Sequence, residues 1–107
     1  MKIEDNLKII KLIDTYGSLL TSRQFDVVTS YYFDNLSLSE IGDNYSISRQ
    51  AVSDSINQSI KALENYEEKL HVISKEDKLI FDLENLLNGC DNETSNRLKE
   101  IIEDIRG

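Results

Sequence analysis

The sequence predicts an all-α protein, and three features of the 107-residue chain support this prediction. The chain has no proline and only four glycines, so few residues interrupt a helix. Apolar residues recur along most of it with the 3.6-residue period of amphipathic helices. The segment from Leu36 to Ser53 also carries capping residues and an apolar turn at the spacing of a helix-turn-helix unit. The predicted architecture is a helix-turn-helix bundle with a long second helix and a C-terminal helical arm.

Two helices are predicted before the helix-turn-helix unit. Residues at helical spacing line the expected inward face of the first helix: Ile3, Leu7, Ile10, Ile13 and Tyr16. Gly17 marks its end or a kink near it, and Thr21 with Gln24 forms a capping box that opens the second helix. The second helix is expected to bury Phe25, Val28 and Tyr32, and to end at Asp34-Asn35.

The helix-turn-helix prediction rests on the order of capping, small and apolar residues. Ser37 and Glu40 form a capping box for the first helix of the unit. Gly42 has no side chain, so a second helix can approach it closely. Ser48 then caps the second helix, from which Val52 packs inward. A plain antiparallel helix pair is the alternative interpretation, since such hairpins also join two helices through a short loop.

The second helix of the unit continues without a breaker to about Leu70. An apolar stripe runs along this helix: Val52, Ile56, Ile60, Leu63 and Leu70. Ser74 is expected to cap a further helix that Gly89 ends, and Thr94 or a neighbour to begin the last one. Residues 1–70 are therefore predicted to form a helix-turn-helix domain, and residues 71–107 a C-terminal arm.

The two helices of the arm have pronounced apolar stripes: Leu79, Ile80, Leu83, Leu86 and Leu87, then Leu98, Ile101, Ile102 and Ile105. One interpretation is core packing within a monomer. The other is a homodimer interface, which we favour because two short amphipathic helices need a large surface against which to bury their stripes. Helix-turn-helix proteins also often pair to span two half-sites in DNA.

In a helix-turn-helix protein the early residues of the second helix read base edges in the major groove of DNA. The candidate DNA-binding residues are Ser48, Arg49, Gln50, Ser53, Asn57 and Lys61. Charge opposes general DNA binding, because the chain carries 12 basic and 20 acidic residues, a net charge of −8. Between residues 46 and 61, however, Arg49 and Lys61 outnumber the single acid Asp54.

Several classes of function find no support in the sequence. There is no glycine-rich nucleotide loop, and the single histidine, His71, has no catalytic or metal-binding cluster around it. The single cysteine, Cys90, suits a reducing cytoplasm, and no apolar run is long enough to span a membrane. The aromatic run Tyr31-Tyr32-Phe33 is interpreted as core filling by one or two of its members rather than as a base-stacking platform, because consecutive helical residues point in different directions. We therefore predict a cytoplasmic non-enzyme without a cofactor, a metal or a membrane-inserted segment.

Five segments carry a family resemblance: Tyr16-Gly17-Ser18-Leu19-Leu20-Thr21, Tyr31-Tyr32, Leu36-Ser37-Leu38-Ser39-Glu40-Ile41, Ser48-Arg49-Gln50-Ala51-Val52 and Tyr66-Glu67-Glu68-Lys69-Leu70-His71. Together they resemble the YlxM family, small helix-turn-helix proteins of Gram-positive bacteria and mycoplasmas. The resemblance is strong over residues 16–71 and weak over the arm. The same region is also similar to region four of bacterial sigma factors, the part that reads promoters.

The YlxM resemblance implies a regulatory role in the signal recognition particle pathway, because such genes typically neighbour those of the particle's GTPase or its receptor. The sigma likeness implies DNA binding through the second helix, where Arg49 matches directly. Ala51 and Ser53 depart from sigma factors, which commonly have basic residues at both positions, and Ser53 also replaces the aromatic residue usual in YlxM proteins.

Three hypotheses follow. The first is a DNA-binding regulator, with the arm forming a dimer. The second is an accessory factor that binds the signal recognition particle GTPase, its receptor or its RNA, and does not bind DNA. The third is a dimeric scaffold without nucleic acid. Acidic helices facing a basic protein would favour the second hypothesis, because electrostatic attraction speeds encounter.

Overall fold

A computed structural model describes the backbone of residues 3–107 and the side chains from Asn6 onward. This part of the chain is all-α and contains no strand, which confirms the predicted helix-turn-helix fold class. The helices are α1 (Ile3–Tyr16), α2 (Ser22–Tyr32), α3 (Leu38–Tyr45), α4 (Arg49–Leu70), α5 (Val72–Leu87) and α6 (Asn92–Arg106), with a 3₁₀ turn at Gly17–Leu19. The chain divides into two compact units, one ending at Leu70 and the other spanning His71–Gly107.

The long helix α4 is the centre of the first unit, and α1, α2 and α3 all pack against it. Its buried face presents Val52, Ile56, Ser59 and Leu63 to the core. The Ser59 hydroxyl donates to the Ser55 carbonyl oxygen of the same helix at 2.8 Å, so this polar group is satisfied without a partner from another element. Burying each of the large aliphatic side chains contributes roughly 1.5–3 kcal/mol. The uninterrupted helix to Leu70 was predicted correctly.

The inward face of α1 differs from the predicted one. Leu12, Ile13 and Tyr16 are buried, whereas Leu7, which was predicted to face inward, is 62% exposed. Ile10 is half-buried, and the side chain of Ile3 lies outside the described residues. Two apolar stripes share Ile13 in this sequence, so spacing alone does not choose between them. The Tyr16 hydroxyl, which donates to Glu67 Oε1 at 2.6 Å, fixes one end of the observed face against α4.

Helix α2 begins as predicted, with a reciprocal capping box between Thr21 and Gln24. It buries Val27 and Val28 completely. Phe25 was predicted to face inward, but its side chain is 40% exposed. Val27 is buried instead, and the Phe25 ring lies against Gly17.

The second unit is a hairpin of α5 and α6. Helix α5 begins at Val72, immediately after His71, and not at Ser74 as predicted. The reason is the left-handed backbone of His71, with φ 55°, which ends the preceding helix within one residue. Ser74 lies inside the first turn, where its hydroxyl donates to the His71 carbonyl oxygen. Asp91 caps α6 by accepting from the Thr94 amide at 2.8 Å.

Candidate nucleic-acid interface

The local backbone between α3 and α4 has the geometry of a helix-turn-helix. Ser37 and Glu40 form both hydrogen bonds of the predicted capping box. Ser46 adopts the left-handed conformation, φ 57°, that ends α3 and turns the chain. The Ser48 hydroxyl then accepts from the Ala51 amide at 3.0 Å, so α4 begins at Arg49.

Gly42 sets how closely the turn approaches α3. A Cβ added to Gly42 would lie 2.7 Å from the Ile47 carbonyl oxygen, which is closer than side-chain atoms pack. It would also lie 3.6 Å from the Arg49 amide nitrogen, so the first residue of α4 is part of the same contact. The glycine therefore fixes the position of the N-terminus of α4, and of the candidate reading residues that follow it.

The six candidate residues all lie at the start or along the N-terminal half of α4, but they do not share one line. With about 100° between successive helical residues, Gln50, Asn57 and Lys61 fall within about 40° of one another, facing away from the core. All three are exposed, as is Arg49. Arg49 lies about 100° to the side of this stripe and about 18 Å along the helix axis from Lys61.

Two of the candidates differ from the others in their surroundings. Ser48 uses its hydroxyl oxygen as the cap of α4. Ser53 is half-buried and, like the exposed Asn57, lines a cavity of about 180 Å³ that Tyr31 and Leu38 also line. Arg49, Gln50, Asn57 and Lys61 are the candidates within α4 whose side chains are exposed.

Gln50 has a partner that the sequence reasoning missed. Its Nε2 donates to Asp54 Oδ1, one helical turn later, at 3.0 Å. The spacing of four residues could have revealed this pair, because such neighbours face each other on a helix. The carboxylate therefore lies within the exposed stripe and partly occupies the amide that would read a base.

Arg23 is a cation near this site that the sequence reasoning also missed. It lies in the first turn of α2, and its guanidinium carbon is 4.9 Å from the ring centroid of Tyr45, the last residue of α3. This cation–π contact places Arg23 beside the turn that leads to Arg49. Neither Arg49 nor Lys61 forms an ion pair with any residue that the structure describes.

The aromatic pair Tyr31 and Tyr32 fills space beside α4. Both rings are half-buried and meet edge to face, with centroids 5.0 Å apart. The pKa of the Tyr32 hydroxyl is raised above its ordinary value, mainly by burial and to a smaller extent by the neighbouring Tyr31. Phe33, in contrast, is 46% exposed. Of the three aromatic residues, the two tyrosines therefore have the packing role predicted for the run.

The side chains that the structure describes, from Asn6 onward, include no group of histidine, cysteine and carboxylate residues arranged to hold a metal ion. His71 and Cys90 lie apart in the chain and neither belongs to such a group. None of the described helices is both long enough and apolar enough to cross a membrane.

Comparison with known proteins identifies the family. Residues 3–105 match the model of the UPF0122 family, described as "Putative helix-turn-helix protein, YlxM / p13 like". A UPF0122 protein of Desulforamulus reducens is 46% identical over 88 residues, covering 79% of this chain and 75% of the relative. A Clostridium perfringens relative is 38% identical over 109 residues, covering 96% and 97% of the two chains. A Lactococcus lactis relative is 46% identical over 74 residues, covering 69% and 67%. The predicted resemblance is confirmed: the chain belongs to the UPF0122 family of YlxM-like helix-turn-helix proteins.

Proposed function

We propose that this protein is a non-enzymatic, cytoplasmic accessory factor of the signal recognition particle pathway that binds nucleic acid through the N-terminal half of α4. The observation that carries the nucleic-acid part is the exposed set Arg49, Gln50, Asn57 and Lys61 on a helix whose start is fixed by Gly42. The assignment to the pathway rests on the YlxM resemblance described above. The names of the similar proteins describe the family and not a pathway.

Each exposed side chain has a role that fits its chemistry. Arg49, at the first helical residue, would donate to a guanine edge or to a phosphate. Asn57 and Gln50 would contribute amide hydrogen bonds to base edges, the latter after releasing Asp54. Lys61 lies further along the same stripe and Arg23 lies beside the turn. These two cations would contact phosphates on either side of the major groove of the nucleic acid.

The electrostatics predict weak, only modestly salt-dependent binding. Arg23, Arg49 and Lys61 supply three cations to this face, and Asp54 opposes them. Each neutralised phosphate contributes about −0.9 to the slope of the logarithm of the binding constant against that of salt, so three contacts give roughly −3. The protein therefore needs a second source of affinity, and we propose that pairing of two copies supplies it.

Helices α5 and α6 offer a surface for such a homodimer. Leu79, Leu86 and Ile101 are 49%, 57% and 46% exposed, respectively. Leu79 and Leu86 are two turns apart on one side of α5. A two-helix hairpin has no further layer of its own to cover these residues, and a second hairpin would bury them in a four-helix arrangement.

Fluorescence anisotropy with duplexes from the region upstream of the protein's own operon, and with signal recognition particle RNA, tests the nucleic-acid part. Arg49→Ala should weaken binding by about 1–3 kcal/mol and relax specificity at one position. Lys61→Ala should weaken all sequences alike and reduce the salt slope by about one. Lys99→Ala, an exposed cation of the second unit, is the matched control and should change neither. Equal binding by the wild type and Arg49→Ala would contradict the proposal.

A second candidate function is direct binding to a protein of the pathway without nucleic acid. Asp54, held in the middle of the exposed stripe by Gln50, favours this alternative because it opposes phosphate. The net charge of −8 also favours a basic partner. Failure to bind any nucleic acid at low salt, together with nuclease-resistant binding to the purified GTPase or its receptor, would establish it.

A further inference from the structure

An apolar groove runs along the side of the first unit that faces away from α4. It lies between the end of α1 with its 3₁₀ turn and the outer face of α2, and has a volume of about 650 Å³. Ile13, Gly17 and Leu20 form one wall, and Phe25 and Phe33 form the other. The two rings are 40% and 46% exposed, so the groove presents large apolar surfaces to its surroundings.

The local packing gives this groove a defined shape. A Cβ on Gly17 would lie 3.0 Å from Cε2 of Phe25, so the glycine allows the ring to lie directly against the 3₁₀ turn. The Thr29 hydroxyl, between the two rings on α2, donates to the Phe25 carbonyl oxygen at 2.8 Å. That hydroxyl is therefore satisfied by its own helix. Phe25 and Phe33 are two helical turns apart, about 12 Å along the axis.

Charge distinguishes the kind of partner that this groove would accept. Asp14 lines it, and the remaining lining residues in the described part of the chain include no cation. Asp26, exposed and adjacent to Phe25, belongs to the same outer face of α2. The nearest cation along α2, Arg23, is held over the Tyr45 ring. Asp14 in one wall and Asp26 beside the other therefore border the apolar groove.

We propose that this groove docks a cationic amphipathic helix of a partner protein. The apolar side chains of such a helix, at positions i, i+4 and i+7, match two rings that lie two turns apart. Its lysine or arginine side chains would face Asp14 and Asp26. A second copy of this chain is a poor occupant, because none of the helices that the structure describes carries a net positive charge to face these carboxylates. The groove is separate from the exposed residues of α4, so this inference goes beyond the proposed function.

Selection from a displayed library of helical peptides about five turns long tests the proposal. One face of each peptide carries varied apolar residues, and the other carries lysine, glutamate, glutamine or serine in random combination. Peptides selected by the wild-type protein should be enriched in lysine over glutamate on the polar face, and should share a preferred set of apolar side chains at positions i, i+4 and i+7. Selection of neutral or acidic peptides, or no enrichment, would overturn the proposal.

Three variants connect the selected peptide to the groove. Phe33→Gln should weaken its binding about tenfold or more, the size expected for an anchor residue. Asp26→Asn should weaken it less and reduce its salt dependence. Leu70→Gln is the matched control, since Leu70 is 49% exposed in the same unit but does not line the groove. Unchanged affinity in both groove variants would overturn the proposal, with circular dichroism establishing that each variant is folded.

Chemical-shift mapping and hydrodynamics separate the remaining outcomes. Peptide binding should shift amide signals between residues 13 and 33, and Arg49→Ala should leave the peptide's affinity unchanged. An Arg49→Ala protein that loses nucleic-acid binding but keeps peptide binding would therefore bear on the proposed function of α4 and not on the groove. If Phe33→Gln instead changes the oligomeric state of the protein without peptide, the occupant is a second copy and the proposal is wrong.

Discussion

The two units of this chain differ in how they use apolar residues. The first unit holds every fully buried apolar side chain that the structure describes except Ile102. The second unit has as strong a helical periodicity, yet Leu79, Phe81, Leu86 and Ile101 are about half exposed or more. Four helices can surround a core, whereas two can only bury the line along which they touch. Similar sequence patterns therefore build a buried core in the first unit, which still leaves Phe25 and Phe33 exposed, whereas in the second unit Ile102 is the one buried apolar residue among those described.

The largest expected effect is on the free energy of unfolding, and it compares a buried residue of the first unit with an exposed residue of the second. Leu63 is completely buried, so Leu63→Ala should lower the free energy of unfolding by about 2–5 kcal/mol through lost packing and a residual cavity. Phe81→Ala removes more atoms, but from a side chain that is 63% exposed, and should cost less than about 1 kcal/mol. Urea unfolding at one fixed protein concentration measures both. Equal losses would mean that the two units do not differ as described.

The next prediction tests whether the second unit covers its exposed apolar residues by pairing with a second copy. Ile101→Glu should weaken the proposed homodimer by roughly 30-fold or more, because it places a charge within the apolar contact. Asn96→Glu is the control, since it adds the same charge at an exposed residue that lies about 140° around α6 from Ile101. Light scattering over a concentration series gives the dissociation constants. A wild-type protein that is monomeric at micromolar concentration would contradict the pairing.

Two glycines, one in each unit, provide a comparison of intermediate size. Gly42→Ala should destabilise the protein by about 1–3 kcal/mol, because the new methyl group would meet the Ile47 carbonyl oxygen at 2.7 Å. Gly89→Ala should change stability by no more than about 0.5 kcal/mol, since nothing lies within 4 Å of its added Cβ. Thermal unfolding monitored by circular dichroism distinguishes them. A harmless Gly42→Ala would show that the turn can shift without cost.

The smallest expected effect concerns helix caps and pH. Thr21, Ser37 and Ser48 cap helices of the first unit with hydroxyls, whereas Asp91 caps α6 with a carboxylate. The Thr94 amide holds the pKa of Asp91 below its ordinary value. The stabilisation is therefore fully present above the unfolded pKa, and is lost as pH falls through the lower folded pKa.

Acid should accordingly loosen α6 before it affects the caps of the first unit. The protection of the amides of Thr94 and its neighbours, which is their exchange rate relative to the intrinsic rate at the same pH, should fall as the solution is acidified below about pH 4. Asp91→Asn keeps a good capping residue and removes the titration, so this loss of protection should disappear. Identical acid profiles for the wild type and the asparagine variant would assign the effect to another group.

The sequence was most informative where structure depends on neighbouring residues. The capping boxes at Thr21 and Ser37, the cap at Ser48 and the close approach at Gly42 all follow from local spacing, and all are present. The length of α4 was also predictable, because no breaker interrupts its apolar stripe. Sequence spacing was insufficient to identify the buried face of α1, because Ile13 belongs to two apolar stripes.

Other features depend on contacts between distant residues or on an unusual backbone. The Arg23–Tyr45 contact joins α2 to α3 and has no signature in local spacing. The left-handed conformation of His71 moved the start of α5 away from Ser74, and histidine gives no general signal for it. Of the candidate interface, the exposure of Arg49, Gln50, Asn57 and Lys61 agrees with their predicted outward positions, but the half-buried position of Ser53 depends on the placement of Tyr31 and Leu38.

The Tyr16 contact has an optical consequence. The ring of Tyr16 lies 6.1 Å from that of Tyr66, and its hydroxyl donates to Glu67. All five tyrosines precede Leu70 and the chain has no tryptophan, so intrinsic fluorescence excited near the tyrosine band reports on the first unit alone. Far-ultraviolet circular dichroism reports on helices of both units. Recording both signals during one unfolding experiment therefore reveals, without any label, whether the arm melts separately from the rest of the molecule.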